Sequence, residues 1–492
     1  MRTFNKKPLA LGVAAGMAML VAATSAQAIS TGTDFNLSAK ARAGGMAGAA
    51  YTMPQEASAA VFGNPATLTQ FKGINMNFGA SWLSLESVEN EQQANVVGGA
   101  FAGTYTNTSK SDADNYIIPD FGLTLQVSPN LVLGTGLEVD AGLGADYRDD
   151  PITLLGGLGG TAAGGALGGN FTLPLLVEVI SFNANLAAAY QVNEQLSLGA
   201  AVTIGFGLAQ LGTSGPTGNL DTLNGAILAV PIPIGTALTD FGGTTSSVHD
   251  IGFGGSLGAT YLVQEGIMLS ATVKTPLEYN FKNIIHANPA ATGTDKPDGF
   301  QDLTLQQPAE IILGVALDNV IMPGLLVEMD AIWKNWSDAH AYEDAYEDQW
   351  LLAIGAQYEA GDWTYRAGYS YAQDILSDKP NGTLSGLDGV GTVPLADTTG
   401  GLPGDVITIV QNTLLPVIWN HTITAGVGYK ITEAVSVDAF AAYAFGEEEK
   451  DSLPVLSGVA AAALGATSVA ATTEAEIGYE LMIGAGINIA LP

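Results

Sequence analysis

The residues of this chain that could do covalent or metal chemistry are four histidines, a serine between glycines and two acidic runs. Gly254-Gly255-Ser256-Leu257-Gly258 has the letters of a G-x-S-x-G nucleophile elbow, but an elbow needs a turn from strand to helix. These residues lie inside an alternating run that continues to Val263, so the small ones fill one face of a strand. His249, His286, His340 and His421 fall in loops or at strand ends, without H-E-x-x-H spacing and with no Cys to complete a zinc set. Asp112-Ala113-Asp114-Asn115 opens like a calcium loop but lacks its Gly and closing Glu. Glu447-Glu448-Glu449 reads as a solvated face, or as an anchor for divalent ions that bridge to surface lipid. No enzyme, bound metal or cofactor is expected.

Composition narrows the class. The chain has 492 residues, 62 of them Gly and none Cys, with 48 acids against 16 Lys and Arg and a formal charge of -32. Such acidity argues against a nucleic-acid partner, because phosphates are held by clustered bases. The lack of Cys excludes disulfides and iron–sulfur clusters. A mean hydropathy of +0.26 excludes disorder, so the apolar surface must be buried in protein or lipid.

Residues 1–28 read as a signal peptide. Arg2, Lys6 and Lys7 precede an apolar stretch, and Ala26-Gln27-Ala28 fits a small-x-small cleavage site. The mature chain then starts at Ile29 and carries 13 Lys and Arg against 48 acids. Nothing later reads as a transmembrane helix: residues 454–473 are Ala, Gly, Ser and Val, and residues 226–237 carry two prolines and are too short.

Apolar residues instead recur at every second position, the period of a strand with two unlike faces. Ile74, Met76, Phe78 and Trp82 begin the series, and Phe121 to Val127 follow in the same alternation. Further runs carry Leu131, Leu133 and Leu137; Leu352, Ile354 and Tyr358; Trp363, Tyr365 and Tyr369; and Val435, Val437 and Tyr443. The last spans residues 477–491. About fourteen strands result, joined alternately by short turns and long loops. That asymmetry predicts an all-β fold, a transmembrane antiparallel barrel with turns on the periplasmic side and loops outside.

With apolar residues facing lipid, Glu138, Asp140, Lys274, Glu278, Glu310, Glu328, Asp330, Lys334, Arg366, Asp438, Glu476 and Glu480 all face inward. A base facing lipid at mid-depth costs roughly 2–4 kcal/mol, so this segregation fits a lipid-embedded wall better than a soluble sandwich. Tyr190, Tyr358, Trp363 and Tyr365 sit beside short turns, where interface aromatics belong. Residues 29–72 lack alternation, and a plug in the lumen is the expected role. The division is therefore 1–28 signal peptide, 29–72 plug and 73–492 barrel. The apolar loop stretches 154–177 and 226–237 are candidate capture surfaces, or pack on one another over the barrel mouth.

These blocks resemble the FadL-like outer-membrane transporters of long-chain fatty acids and aromatic hydrocarbons. Gly44-Gly45-Met46-Ala47-Gly48, followed by Asn64-Pro65-Ala66, is similar to the family's hatch, with its acidic position near Gln55-Glu56. Val327 to Trp333 leading into Asn335-Trp336-Ser337 resembles its strand ending in an N-W-S-type box. The resemblance implies a fourteen-stranded barrel in the Gram-negative outer membrane. Apolar cargo is caught by loops and released sideways through a kinked third strand. Gly134, Gly136, Gly142 and Gly144, all read as inward-facing, are the candidates for that gap. The expected cargo is a fatty acid, held by an inward base without a partner. Lys274 and Arg366 are the first choices and Lys334 the third. The alternatives are uptake of aromatic or aliphatic hydrocarbons, with the bases paired to inward acids, or a general porin or adhesin. Partners are the cargo, outer-membrane lipid and lipopolysaccharide, with no nucleic acid, and a monomer is expected.

Overall fold

The computed structural model describes residues 36–86, 88–161, 163, 172–213, 247–286, 300–343, 345–376, 387–388, 401–414 and 419–492. The expected signal peptide, the start of the plug, residues 162 and 164–171 of the first apolar stretch and the whole of 226–237 lie outside the described residues.

The alternating runs become fourteen antiparallel barrel strands. They are β1 (Ile74–Leu85), β2 (Asn115–Ser128), β3 (Leu131–Asp146), β4 (Leu175–Gln191), β5 (Leu196–Thr213), β6 (Val248–Gln264) and β7 (Ile267–Lys274). The rest are β8 (Glu310–Asp318), β9 (Leu325–Lys334), β10 (Gln349–Ala360), β11 (Trp363–Ala372), β12 (His421–Thr432), β13 (Val435–Ala444) and β14 (Glu480–Leu491). Each pairs with its neighbours in sequence. β14 closes the ring on β1 from Ile74↔Leu491 to Leu85↔Glu480. The outer face is apolar and open to lipid, with Phe253 and Leu257 70% and 62% exposed, whereas Glu310, Glu328, Asp330, Lys334 and Asp438 are buried inside.

Two expected inward acids lie elsewhere. Glu278 is on the strand Leu277–His286, whose Tyr279 fills the space left by Gly205 and Gly207 inside the wall. Glu476 is on Ser468–Ile477, in a separate four-stranded sheet with Glu447–Ser452, Val88–Val97 and Gly103–Lys110. The last alternating run thus belongs to two elements, and its barrel strand begins only at Glu480.

The plug begins at Asn36 among the described residues. It contains the short helix α1 (Ala57–Phe62) and the turns Gly44–Met46 and Pro65–Gln70. Asn64 caps the second turn by accepting from the Ala66 N–H at 3.0 Å and donates to the Tyr51 carbonyl at 3.1 Å. Wall glycines let this segment in. A Cβ on Gly134 would lie 2.9 Å from Leu68 and Val61, one on Gly136 2.7 Å from the Phe62 ring, and one on Gly199 2.3 Å from the Ala66 nitrogen.

On the loop side, α2 (Gly401–Leu414) and α3 (Pro454–Leu464) pack over the four-stranded sheet. Asp405 of α2 accepts from the Leu456 N–H at 2.7 Å and so caps the start of α3. Burial pushes its carboxyl up to about 6, partly offset by the Leu456 and Val455 N–H groups. The described part of the apolar stretch 154–173 packs here. Leu155, Leu158 and Leu173 are buried against Leu456, Leu464 and Val469, so they form a loop core. No described helix is long and apolar enough to cross a membrane.

Candidate functional site

The wall acids turn out to be receptors for the plug. Glu138 of β3 meets the Lys40 ammonium at 2.5 Å, and Asp438 of β13 meets Arg42 at 2.8 Å. Glu328 of β9 accepts the N–H groups of Thr52 and Met53 at 2.6 and 3.0 Å, and Asp330 that of Tyr51 at 3.3 Å. Asp120 of β2 holds Asn77, whose side-chain oxygen takes the Ser58 N–H at 2.7 Å. Within the plug, one oxygen of Glu56 accepts from Arg42 and Ala43 N–H, each at 3.0 Å. Burial, and then the Asp120 charge, push this carboxyl up to about 7 against the pull of those donors. For Lys40, burial favours the neutral amine, but Glu138 and Asp120 outweigh it and hold the amine above its ordinary value.

The three inward bases do not stand free. Lys274, Glu310 and Lys334 face one another directly across β7, β8 and β9. Glu310 lies 3.0 Å from Lys274 and 3.7 Å from Lys334. Arg366 binds Asp438 at 2.8 Å and Gln357 at 2.7 Å, so Asp438 sits between two arginines. The expectation of an unpartnered base therefore gives way. For the lysines the physical reason is cross-strand register, which places Glu310 beside both, whereas Arg366 reaches Asp438 over Gly426 and Gly428 of the strand between them.

The ladder between β2 and β3 runs from Ser128↔Leu131 to Asp120↔Glu138 and stops. β2 continues on its other side against β1 as far as Asn115, and β3 against β4 as far as Asp146. Residues 115–119 and 139–146 are thus adjacent stretches without a shared ladder, and Pro119 brings no N–H to either neighbour. The top is tied by the Asp112 N–H to the Asp146 carbonyl at 2.9 Å.

A bulge at Asp140 shifts the β3 register by one residue. Ala141 consequently faces inward opposite Ser181, and Gly142 and Gly144, opposite Ile180 and Glu178, are turned outward rather than inward as expected. Gly134 and Gly136 stay inward and fully paired, opposite Thr124 and Gly122, where they seat the plug. The four glycines thus divide into two roles.

Above the plug lies a chamber of about 140 Å³. Asn36, Ser38, Ala47 and Gly48 form its floor, and Ile332, Leu351, Ala442, Met482 and Trp419 line it, with Lys334, Gln349, Glu480, Ser370, Asn420, Thr422 and Thr424 as polar groups. Its apolar side continues through Leu83, Tyr116 and Ile118 to Val139, at the ladder break. Trp336 of the N-W-S box is fully buried behind the chamber lining, its indole N–H donating to Gln349 at 3.4 Å and its ring edge-on to Tyr342 and Tyr346. The residues first singled out for catalysis are scattered. Ser256 pairs across from Lys274 in the wall, and His421 meets the Tyr369 hydroxyl at 2.7 Å. No three His, Asp or Glu form a metal-sized group among the described residues.

Lys40, Arg42 and Asp120 were missing from the sequence-based site. Two lie in the plug, which has no periodicity to reveal facing, and Asp120 borders an apolar run.

The family model described as "Outer membrane protein transport protein (OMPP1/FadL/TodX)" matches residues 19–383. Among solved structures, a Pseudomonas aeruginosa FadL homologue superposes with a TM-score of 0.58 at 13% identity, covering 95% of this chain and 100% of that one. The P. putida toluene transporter TodX gives 0.54 at 18% identity over 88% and 94% of the two chains. The Ralstonia pickettii toluene transporter TbuX gives 0.54 at 18% over 93% and 100%. No curated protein matches this chain in sequence. A closed fourteen-stranded barrel and a family match over most of the sequence lead to one conclusion: this chain belongs to the FadL/TodX family of outer-membrane transport proteins.

Proposed function

We propose that this protein carries small, uncharged apolar compounds of the single-ring hydrocarbon class passively across the outer membrane of a Gram-negative cell. Export follows cleavage after Ala28. Cargo leaves water at the loops, rests in the chamber above the plug and passes along the Tyr116–Ile118–Val139 side. It then enters lipid through the ladder break between β2 and β3. The observation that carries this reading is the pairing of Lys274, Lys334 and Arg366 with buried carboxylates, because a fatty-acid headgroup needs a counter-charge in a low-dielectric lumen. Size supports it too: the chamber is about 140 Å³, and an apolar cavity of roughly 150 Å³ holds one benzene ring, not a long acyl chain. The printed names of TodX and TbuX, both toluene transporters, agree with this class.

The test is uptake of labelled toluene and labelled palmitate by a strain expressing the protein, with Lys274→Ala and Arg366→Ala variants. Toluene uptake is expected to exceed the empty-strain rate and to survive Lys274→Ala. Palmitate uptake that is strong in the parent and lost in both variants would reinstate the fatty-acid reading.

A further inference from the structure

Glu480 differs from the other wall acids. Glu138, Glu310, Glu328, Asp330 and Asp438 are each occupied by a base or by plug N–H groups. Glu480, the first residue of β14, instead projects into the chamber beside Met482. Among the described residues nothing donates a hydrogen bond to its carboxyl or pairs with it. A carboxyl group beside Met482 and Trp419 and away from bulk water costs free energy unless something hydrogen-bonds to it. No described plug residue bonds to it, and a donor carried by the entering cargo would fill that role.

We propose that Glu480 makes this chamber selective for single-ring cargo that carries one neutral hydrogen-bond donor, the phenol class, over the bare hydrocarbon. This rests on the reading above, that the chamber takes uncharged single-ring compounds. The chemistry of the other occupants follows. An aromatic carboxylate meets a like charge at Glu480. A cationic ring meets the Lys334 ammonium in the same chamber. A neutral hydroxyl avoids both and gives the Glu480 oxygen the donor it lacks, while the ring packs on Met482, Leu351 and Ala442.

The experiment is calorimetric titration of the full-length mature protein in detergent with 4-methylphenol, toluene and 4-methylbenzoate, which differ only in the group on the ring. The parent should bind 4-methylphenol about ten-fold tighter than toluene, the scale of one charge-assisted hydrogen bond. Glu480→Leu should abolish that preference while keeping toluene affinity, and Glu480→Gln, which keeps an acceptor oxygen, should retain part of it. Heat-dependent gel mobility checks that each variant is a folded barrel. Toluene binding with an unchanged 4-methylphenol preference in Glu480→Leu, or with no preference in the parent, overturns the role of Glu480 alone. Failure of both neutral rings to bind, or tightest binding of 4-methylbenzoate, overturns the proposed cargo class and this selectivity with it.

Discussion

At the scale of single residues, the acidic lumen is a docking surface. Nine acids against three bases in the strands looked like a field hostile to carboxylates; the balance is met by Lys40, Arg42 and a row of plug N–H groups. Breaking one buried pair leaves a bare charge, which costs about 3–5 kcal/mol, whereas replacing both partners with apolar residues is often neutral. Lys40→Met should therefore destabilise plug docking by about that much, and Lys40→Met with Glu138→Leu should recover most of it, read as the frequency of spontaneous pore opening in planar bilayers. Glu56 makes docking depend on pH. Its carboxyl is pushed up from 4.5 to about 7 by burial first and Asp120 second, so the docked plug holds a proton that the undocked one releases. The Glu56 contribution is complete below about pH 4.5 and is lost as pH rises to about 7, beyond which it changes no further. Opening frequency should climb across that window in the parent and stay flat in Glu56→Gln, whose amide oxygen can still accept from Arg42 and Ala43.

At the scale of elements, the third strand changes character halfway along. Below Glu138 it is an ordinary wall strand that seats the plug through Gly134 and Gly136; above it, the Asp140 bulge turns it away from β2. Because the chain has no cysteine, Ile118→Cys with Ala141→Cys can be joined by a short bifunctional reagent without side reactions. That cross-link should cut toluene uptake several-fold and leave toluene binding in detergent unchanged; equal uptake would mean that cargo leaves another way. The wall was legible in the sequence because a two-sided strand in lipid writes its facing into every second residue. Parity reasoning failed at Gly142 and Gly144, since one bulged residue reverses facing and leaves no mark in composition. It also failed at Glu278 and Glu476, because strands of a loop sheet alternate as wall strands do. The site was harder to read. Inward bases were found from parity, but which acid each one meets is set by register, and the chamber is built from seven elements distant in sequence.

At the scale of the whole molecule, a closed wall, a plug and a loop layer divide the work. The wall supplies an apolar outside and a set of fixed acceptors, and the plug satisfies them. Leu155, Leu158 and Leu173, from one apolar loop stretch, belong to a core of their own under α3. Deleting residues 29–72 should raise single-channel conductance well above that of the intact protein while the barrel still shifts on unheated gels. Unchanged conductance would show that this segment does not close the lumen.

The same receptors have an electrical meaning once the plug is gone. Glu138, Glu328, Asp330 and Asp120 would then line water without Lys40 beside them, and Asp438 would keep only Arg366 of its two bases, leaving excess fixed negative charge in a narrow bore. Such fixed charge concentrates counter-ions and expels co-ions. An unplugged pore should therefore be strongly cation-selective, with a reversal potential in a potassium chloride gradient close to that of potassium. Docking chemistry in the resting protein becomes an ion filter in the open one.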